Sequence, residues 1–161
     1  MSLQLILSNS EHELAEIASL ANIIWQAHYP AIIGQNQVDY MLDKFYALPA
    51  LIQQVKEGQK FYLIKDESIS IGFVALSQKE LNLVFIHKFY LDHQLQNIGY
   101  GKKVFEIIKT MHPQASFQLT VNRQNYKAIN FYFKLGFVIK EVADFDIGNG
   151  YLMNDFVMGF S

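Results

Sequence analysis

Cysteine is missing from all 161 residues. Its absence excludes disulfides, thiolate zinc sites and every mechanism built on a thiol nucleophile. Proline is scarce: the three present, Pro30, Pro49 and Pro113, each stand beside an expected element boundary. No apolar run approaches the roughly 18 residues that span a bilayer, so no membrane partner is expected. The first residues, through Ser8, carry no basic side chain ahead of their short apolar stretch, which does not fit a secretory signal. Without disulfides or such a signal, a cytoplasmic protein is expected. Positive charge is scarce too, with 13 Lys+Arg against 15 Asp+Glu and a net charge of −2. Nucleic acid is held largely through its phosphates. The densest basic pair, Lys102-Lys103, falls short of a duplex but suffices for one phosphorylated small molecule.

Apolar residues are plentiful. At 51% apolar, 14% aromatic and 17% charged, the chain can offset its conformational entropy with one core, and a single domain over 1–161 is expected. No period of 20–50 residues repeats and no segment is low in complexity.

Residues 3–7 read as a strand. Ser10 with Glu13 forms a capping-box pattern ahead of a helix whose apolar positions, Leu14, Ile17, Ala18, Ala21, Ile24 and Trp25, recur at helical spacing. A second helical stretch covers about 38–55, broken at Pro49. Strands follow at 60–65 and 70–77, then a longer one at 81–91 that is apolar on both faces and so central. After a glycine loop, Val104, Ile107, Ile108 and Met111 form a helix stripe ending at His112-Pro113. Phe117, Leu119 and Val121 alternate as a strand. Ala128, Phe131, Tyr132 and Leu135 share a helix stopped by Gly136. Strands 137–145 and 151–160 flank the turn Gly148-Asn149-Gly150. The order predicts an α/β (α+β) fold: a mixed sheet with helices on both faces.

The loop Gln96-Asn97-Ile98-Gly99-Tyr100-Gly101-Lys102 joins the central strand to an amphipathic helix. Two close glycines let backbone N–H groups converge, and the helix dipole points to the same place, as a phosphate requires. Glycine serving turn geometry alone reads equally well. A P-loop is excluded by Gln96 and Lys103, and a dinucleotide fingerprint by Val104.

Tyr90-Leu91, followed by Gln96-x-x-Gly99-x-Gly101-Lys102, resembles the acetyl-CoA motif of the GCN5-related N-acetyltransferase (GNAT) family. Asn122-x-x-Asn125-x-x-Ala128-x-x-Phe131-Tyr132-x-x-x-Gly136-Phe137 resembles that family's next motif, in the family's order and at its separation. The resemblance implies the GNAT fold, with a six- or seven-stranded mixed sheet whose central strands splay apart to admit acetyl-CoA as co-substrate, and no metal. It implies that backbone at Phe89 and Leu91, flanking Tyr90, pairs with the pantetheine arm. Pyrophosphate would meet the amides of Gln96, Asn97, Ile98, Gly99, Tyr100 and Gly101, with Lys102 nearby. Asn125 would bond the cofactor arm, and Tyr132 would face the thioester sulfur as proton donor. An amine acceptor is the second partner, and a homodimer is compatible with the resemblance.

Acetyl transfer needs a neutral amine, and an alkylammonium of pKa ~10.4 is only about 0.04% deprotonated at pH 7. The positions where the family carries a basic carboxylate hold Phe85 and Thr120. His87, on the strand face of Phe85, is the nearest titratable group, although a partly buried structural histidine reads as well. Trp25, His28 and Tyr29 close the first helix, which the resemblance places over the acceptor site; a core plug at Trp25 with a solvated His28 is the competing reading. Asp155 is an acceptor-site candidate expected at the surface. With no carboxylate base, kcat/KM is expected to rise toward alkaline pH. The expected activity is acetyl transfer to a primary amine, a small amine or polyamine before a peptide amine, by direct attack in a ternary complex. The alternative is a catalytically weak acyl-CoA-binding module of the same fold.

Overall fold

The structure, a computed structural model, describes residues 2–95 and 98–161. Its elements run β1 (Leu3–Leu7), α1 (Glu11–His28), α2 (Pro30–Ile33), α3 (Gln35–Tyr46), α4 (Leu48–Lys56), β2 (Lys60–Asp66), β3 (Ile69–Glu80), β4 (Leu83–Leu91), α5 (Tyr100–Met111), β5 (Ser116–Asn122), α6 (Tyr126–Leu135), β6 (Val138–Gly148) and β7 (Tyr151–Phe160). The strands form one seven-stranded sheet in the order β1-β2-β3-β4-β5-β7-β6. All neighbours are antiparallel except β4 and β5, which run parallel. This is the expected mixed sheet, with β4 at its centre.

Local chemistry accounts for the boundaries. Ser10 and Glu13 close a reciprocal capping box at the start of α1, an arrangement that stabilises a helix by about 1 kcal/mol. The expected helix over 38–55 is two helices preceded by a short third. Gly34, at φ 86, separates α2 from α3. The break before α4 falls at Ala47, which is extended: Pro49 has no N–H to bond back to the Phe45 carbonyl, but it fits the first turn of a new helix. β4 starts at Leu83 rather than Leu81: Leu81 is exposed and Asn82 turns through φ 62, forming the hairpin corner from β3.

Two cores cover the faces of the sheet. On one, α5 and α6 pack Val104, Phe105, Ile108, Ile129 and Tyr132 against Val84, Ile86, Leu119 and Val121. On the other, α1, α3 and α4 pack Leu14, Ile17, Trp25, Met41 and Leu51 against Phe61, Leu63, Phe73 and Ala75.

The central strand is not regular. Leu76 pairs with Ile86 but Ala75 with Lys88, so His87 is an extra residue on β4. A bulge of this kind reverses the alternation of side chains. Val84 and Ile86 face α5 before it; Leu91 joins the same core after it, while Tyr90 packs on the α1 side. The parallel ladder of β4 and β5 runs only from Leu83↔Ser116 to Ile86↔Leu119. Beyond that point the strands part.

Candidate active site

The parting of β4 and β5 opens a cleft of about 1330 Å³ that reaches both faces of the sheet. Gly99, Gly101 and Lys102 line its α5 end; Trp25, Tyr29 and Asp155 line the side covered by α1.

At the α5 end, Gly99 caps the helix in the left-handed region at φ 89, which an L side chain rarely adopts. The 12 residues of α5 then present their N-terminal dipole to the cleft. Gly101 is constrained differently: a Cβ there would lie 2.8 Å from Cζ of Phe131. Its missing side chain lets α5 approach α6. Tyr100 donates to Asp66 Oδ2 at 2.7 Å, tying the loop to the end of β2. Ile98 is exposed. Gln96 and Asn97 lie outside the described residues.

Along β4, Phe89 meets Phe131 and Tyr132 edge-on, with ring centroids 5.9 and 6.5 Å away. Tyr90 packs instead among Trp25, Tyr29 and Phe73 at 5.6–6.2 Å, so its side chain belongs to the α1 face. Leu91 is buried in the α5 face.

Tyr132 is buried on α6 against Phe137 and also lines the cleft. Burial pushes its phenol well above the ordinary value, and the hydroxyl keeps its proton at neutral pH. Asn125 caps α6, its Oδ1 accepting from Ala128 N at 3.3 Å. Its Nδ2 donates to the Tyr29 hydroxyl at 3.2 Å, and His28 Nε2 stands 3.5 Å from its Oδ1. The side chain expected to bond the cofactor arm is therefore also the bridge between α6 and the end of α1.

Trp25 is a core side chain at 4% exposure and a wall of the cleft at once, with Tyr29 stacked on it at 4.4 Å. His87, the nearest titratable group on the Phe85 side, has Nε2 2.6 Å from Ser77 Oγ and its ring against Phe85 at 4.7 Å. Desolvation, then the neighbouring Lys88 charge, pulls its pKa down to about 4. It is neutral at pH 7 but far too weakly basic to take a proton from an alkylammonium efficiently. Asp155, expected at the surface, is 3% exposed. It lies on the strand face shared with Thr120 and Asn122 of β5, and it lines the cleft. Burial raises its carboxyl to about 6, against the lowering effect of the Thr120 hydroxyl and Arg123.

Lys88 passes unnoticed in the sequence. It is buried just beyond the bulge, donating to Gln54 Oε1 at 2.7 Å and Gln59 Oε1 at 2.9 Å, with Nζ 5.0 Å from the Phe61 ring centroid. Burial pulls its pKa down to about 7. A lysine two residues beyond an apolar run gives no signal of this; only the bulge turns it toward α4.

A sequence model of the acetyltransferase (GNAT) domain matches residues 32–148. The peptidyl-lysine N-acetyltransferase YjaB of Salmonella typhimurium is 28% identical over 90 residues, 56% of this chain and 57% of that protein. The chain thus matches little more than half the length of that relative. The structure of PaiA N-acetyltransferase from Thermoplasma acidophilum, in complex with coenzyme A, superposes with a TM-score of 0.78 at 23% identity, covering 100% of this chain and 99% of that one. A GCN5-related N-acetyltransferase from Rhodopseudomonas palustris gives a TM-score of 0.79 at 14% identity, covering 99% and 94%. The fold is that of these acetyltransferases, and the chain belongs to the GCN5-related N-acetyltransferase family. Among the described residues no helix is long and apolar enough to cross a membrane.

Proposed function

We propose that this chain moves the acetyl group of acetyl-CoA onto a primary amine, by direct attack within a ternary complex, and that its preferred acceptor is a small amine or polyamine. One observation carries the reading. A single cleft joins the α5 N-terminus and its left-handed Gly99 to Tyr132, to a stacked aromatic wall and to a buried carboxylate. The helix end and glycine suit a pyrophosphate, with Lys102 beside them. Backbone of β4 from Phe89 to Leu91, where β5 has departed, suits the extended pantetheine arm. Tyr132, protonated, donates to sulfur as the thiolate leaves. Trp25 and Tyr29 offer ring faces, and Asp155 a negative charge, which together suit an ammonium ligand.

The chain has no cysteine, so a thiol acyl carrier has no place in this reading. The relative named as a peptidyl-lysine acetyltransferase supports a peptide amine as the second acceptor class. Exposed Val138, Ile139, Val142 and Phe145 on edge strand β6 suit a second copy of the chain as partner, and the reading assumes a cytoplasmic setting.

A panel of monoamines, polyamines and lysine peptides, assayed for release of free CoA, tests the proposal. Turnover fastest with a small amine or polyamine supports it. Faster turnover of peptides moves the acceptor class, and acetyl-CoA binding without turnover on any amine leaves the binding-module reading instead.

A further inference from the structure

We propose that Asp155 is the general base of acetyl transfer, a carboxylate carried on β7 that takes the proton from the incoming ammonium. This rests on the amine-acetyltransferase reading above and deepens it.

The proton has few destinations. Among described residues lining the cleft, the carboxylates are Glu57 and Asp155; Lys88, held near neutrality by burial, has its Nζ engaged by Gln54 and Gln59 on the α4 side, and His28 stands against Asn125. Glu57 is exposed beyond the end of α4, where Gln53 Nε2 donates to it at 3.1 Å. His87 is bonded to Ser77 and too weakly basic. Asp155 is buried, in the middle of β7, paired with Asn122 of β5 and Ala143 of β6.

Position supports the role as well as elimination. Alternation along β5 sends Phe117, Leu119 and Val121 into the α5–α6 core, and so turns Thr120 and Asn122 to the opposite face. On β7, Phe156 and Met158 pack into that same core, which turns Asp155 to the face of Thr120. Tyr132 reaches the cleft from α6. Tyr132 and Asp155 therefore line one cleft from opposite faces of the sheet, with Asp155 reaching it from across β5. In a direct transfer the amine adds to the carbonyl carbon and the tetrahedral centre then expels sulfur, so a base beside the nitrogen and an acid beside the sulfur can act from different walls of one cleft.

The groups around the carboxyl suit a base that works near neutrality. Burial raises its affinity for a proton; the Thr120 hydroxyl and Arg123 lower it, and Asp144 on β6 raises it. Arg123 does not quench it by pairing. Its guanidinium bonds Asp144 Oδ1 at 2.8 Å and the backbone carbonyl of Asp155 at 3.1 Å.

In the step, the ammonium gives one proton to Asp155 and the neutral nitrogen attacks the thioester carbon. The C–N bond forms, the C–S bond breaks, and the electron pair of that bond leaves on sulfur. The second nitrogen proton passes to sulfur, with the Tyr132 hydroxyl as the donor that is reprotonated. Asp155 returns its proton to solvent, and the products are the amide, CoA thiol and one proton.

A base of this kind changes the pH profile. With Asp155 ionised and the amine still protonated, kcat/KM should level off above about pH 6 to 7. The alkaline rise expected for a site with no base should belong to Asp155→Asn instead. That variant should fall about 10²–10⁴-fold in kcat at pH 7 and climb about tenfold per pH unit toward the amine pKa. Asp155→Glu should restore part of the rate and the plateau. Thr120→Val, which removes a group that favours the carboxylate, should move the acidic limb to higher pH even if Asp155→Asn folds poorly, a point thermal melting checks. An unchanged profile in Asp155→Asn overturns the proposal, as does a rise in KM alone, which would make Asp155 only a cation-binding group. A wild-type protein inert toward every amine overturns the acetyltransferase reading itself; an active wild type with an unaltered Asp155→Asn overturns this inference alone.

Discussion

The ring of Phe131 occupies the space into which a side chain on Gly101 would grow, 2.8 Å from the position of its Cβ. The second glycine of the loop is thus held by packing between α5 and α6, and the first, Gly99, by its left-handed backbone. Gly101→Val should push Phe131 aside and with it the wall beside Tyr132, because neighbours on one helix share their packing. Acetyl-CoA affinity should fall at least tenfold, and the melting temperature should fall too. Gly99→Val should weaken binding by a similar factor through strain at positive φ. Titration calorimetry paired with thermal melting reads both; unchanged affinity in a folded Gly99→Val would remove the loop from the cofactor site.

Tyr132→Phe keeps the ring that packs on Phe137 and Phe89 but deletes the proton donor. We expect kcat to fall about 10²–10⁴-fold while acetyl-CoA affinity changes little. Full kcat in the variant would leave Tyr132 as a core aromatic only.

Initial rates measured over both substrates should give intersecting lines, the signature of a ternary complex. Parallel lines, together with an acetylated enzyme that reacts on with amine, would show a covalent route instead.

Lys88 yields a prediction about stability. Burial holds its pKa near 7 in the folded chain, well below the ordinary lysine value. Between about pH 7 and the unfolded value near 10.4, the unfolded state binds a proton that the folded state does not, so stability rises with pH across that window. The penalty is fully present below pH 7. Wild type should therefore gain about 2–3 kcal/mol relative to Lys88→Met between pH 7 and pH 9. Denaturant unfolding of both proteins at the two pH values measures it, and an equal difference at both would mean that Lys88 keeps its charge when folded.

Much of the architecture can be read without the structure. The capping box, the glycine stops and the alternation of Phe117, Leu119 and Val121 fix elements because each depends on neighbours in sequence. The bulge at His87 cannot be read this way, since one extra residue in a ladder is defined by the pairing partner and leaves no trace in composition. Everything that depends on it was hidden too, including the turn of Lys88 toward α4. Asp155 reads as exposed because it follows Asn154 in a polar stretch of β7. Its place beside Asn122 of β5, distant in sequence, leaves no local signal. The packing of Tyr132 is legible because Ala128, Phe131, Tyr132 and Leu135 fall on one helix face, a local pattern.

Only four residue pairs, Leu83↔Ser116 to Ile86↔Leu119, stitch the β1–β4 half of the sheet to the β5–β7 half. At the far end of the gap, the Asn125 amide on the Tyr29 hydroxyl fastens α6 to the tip of α1. The molecule is thus built like a clothes peg, with a short spring at one end and a catch at the other. The catch is made of side chains that also line the cleft, so a change at Tyr29 or Asn125 would alter the width of the jaws together with what they can grip.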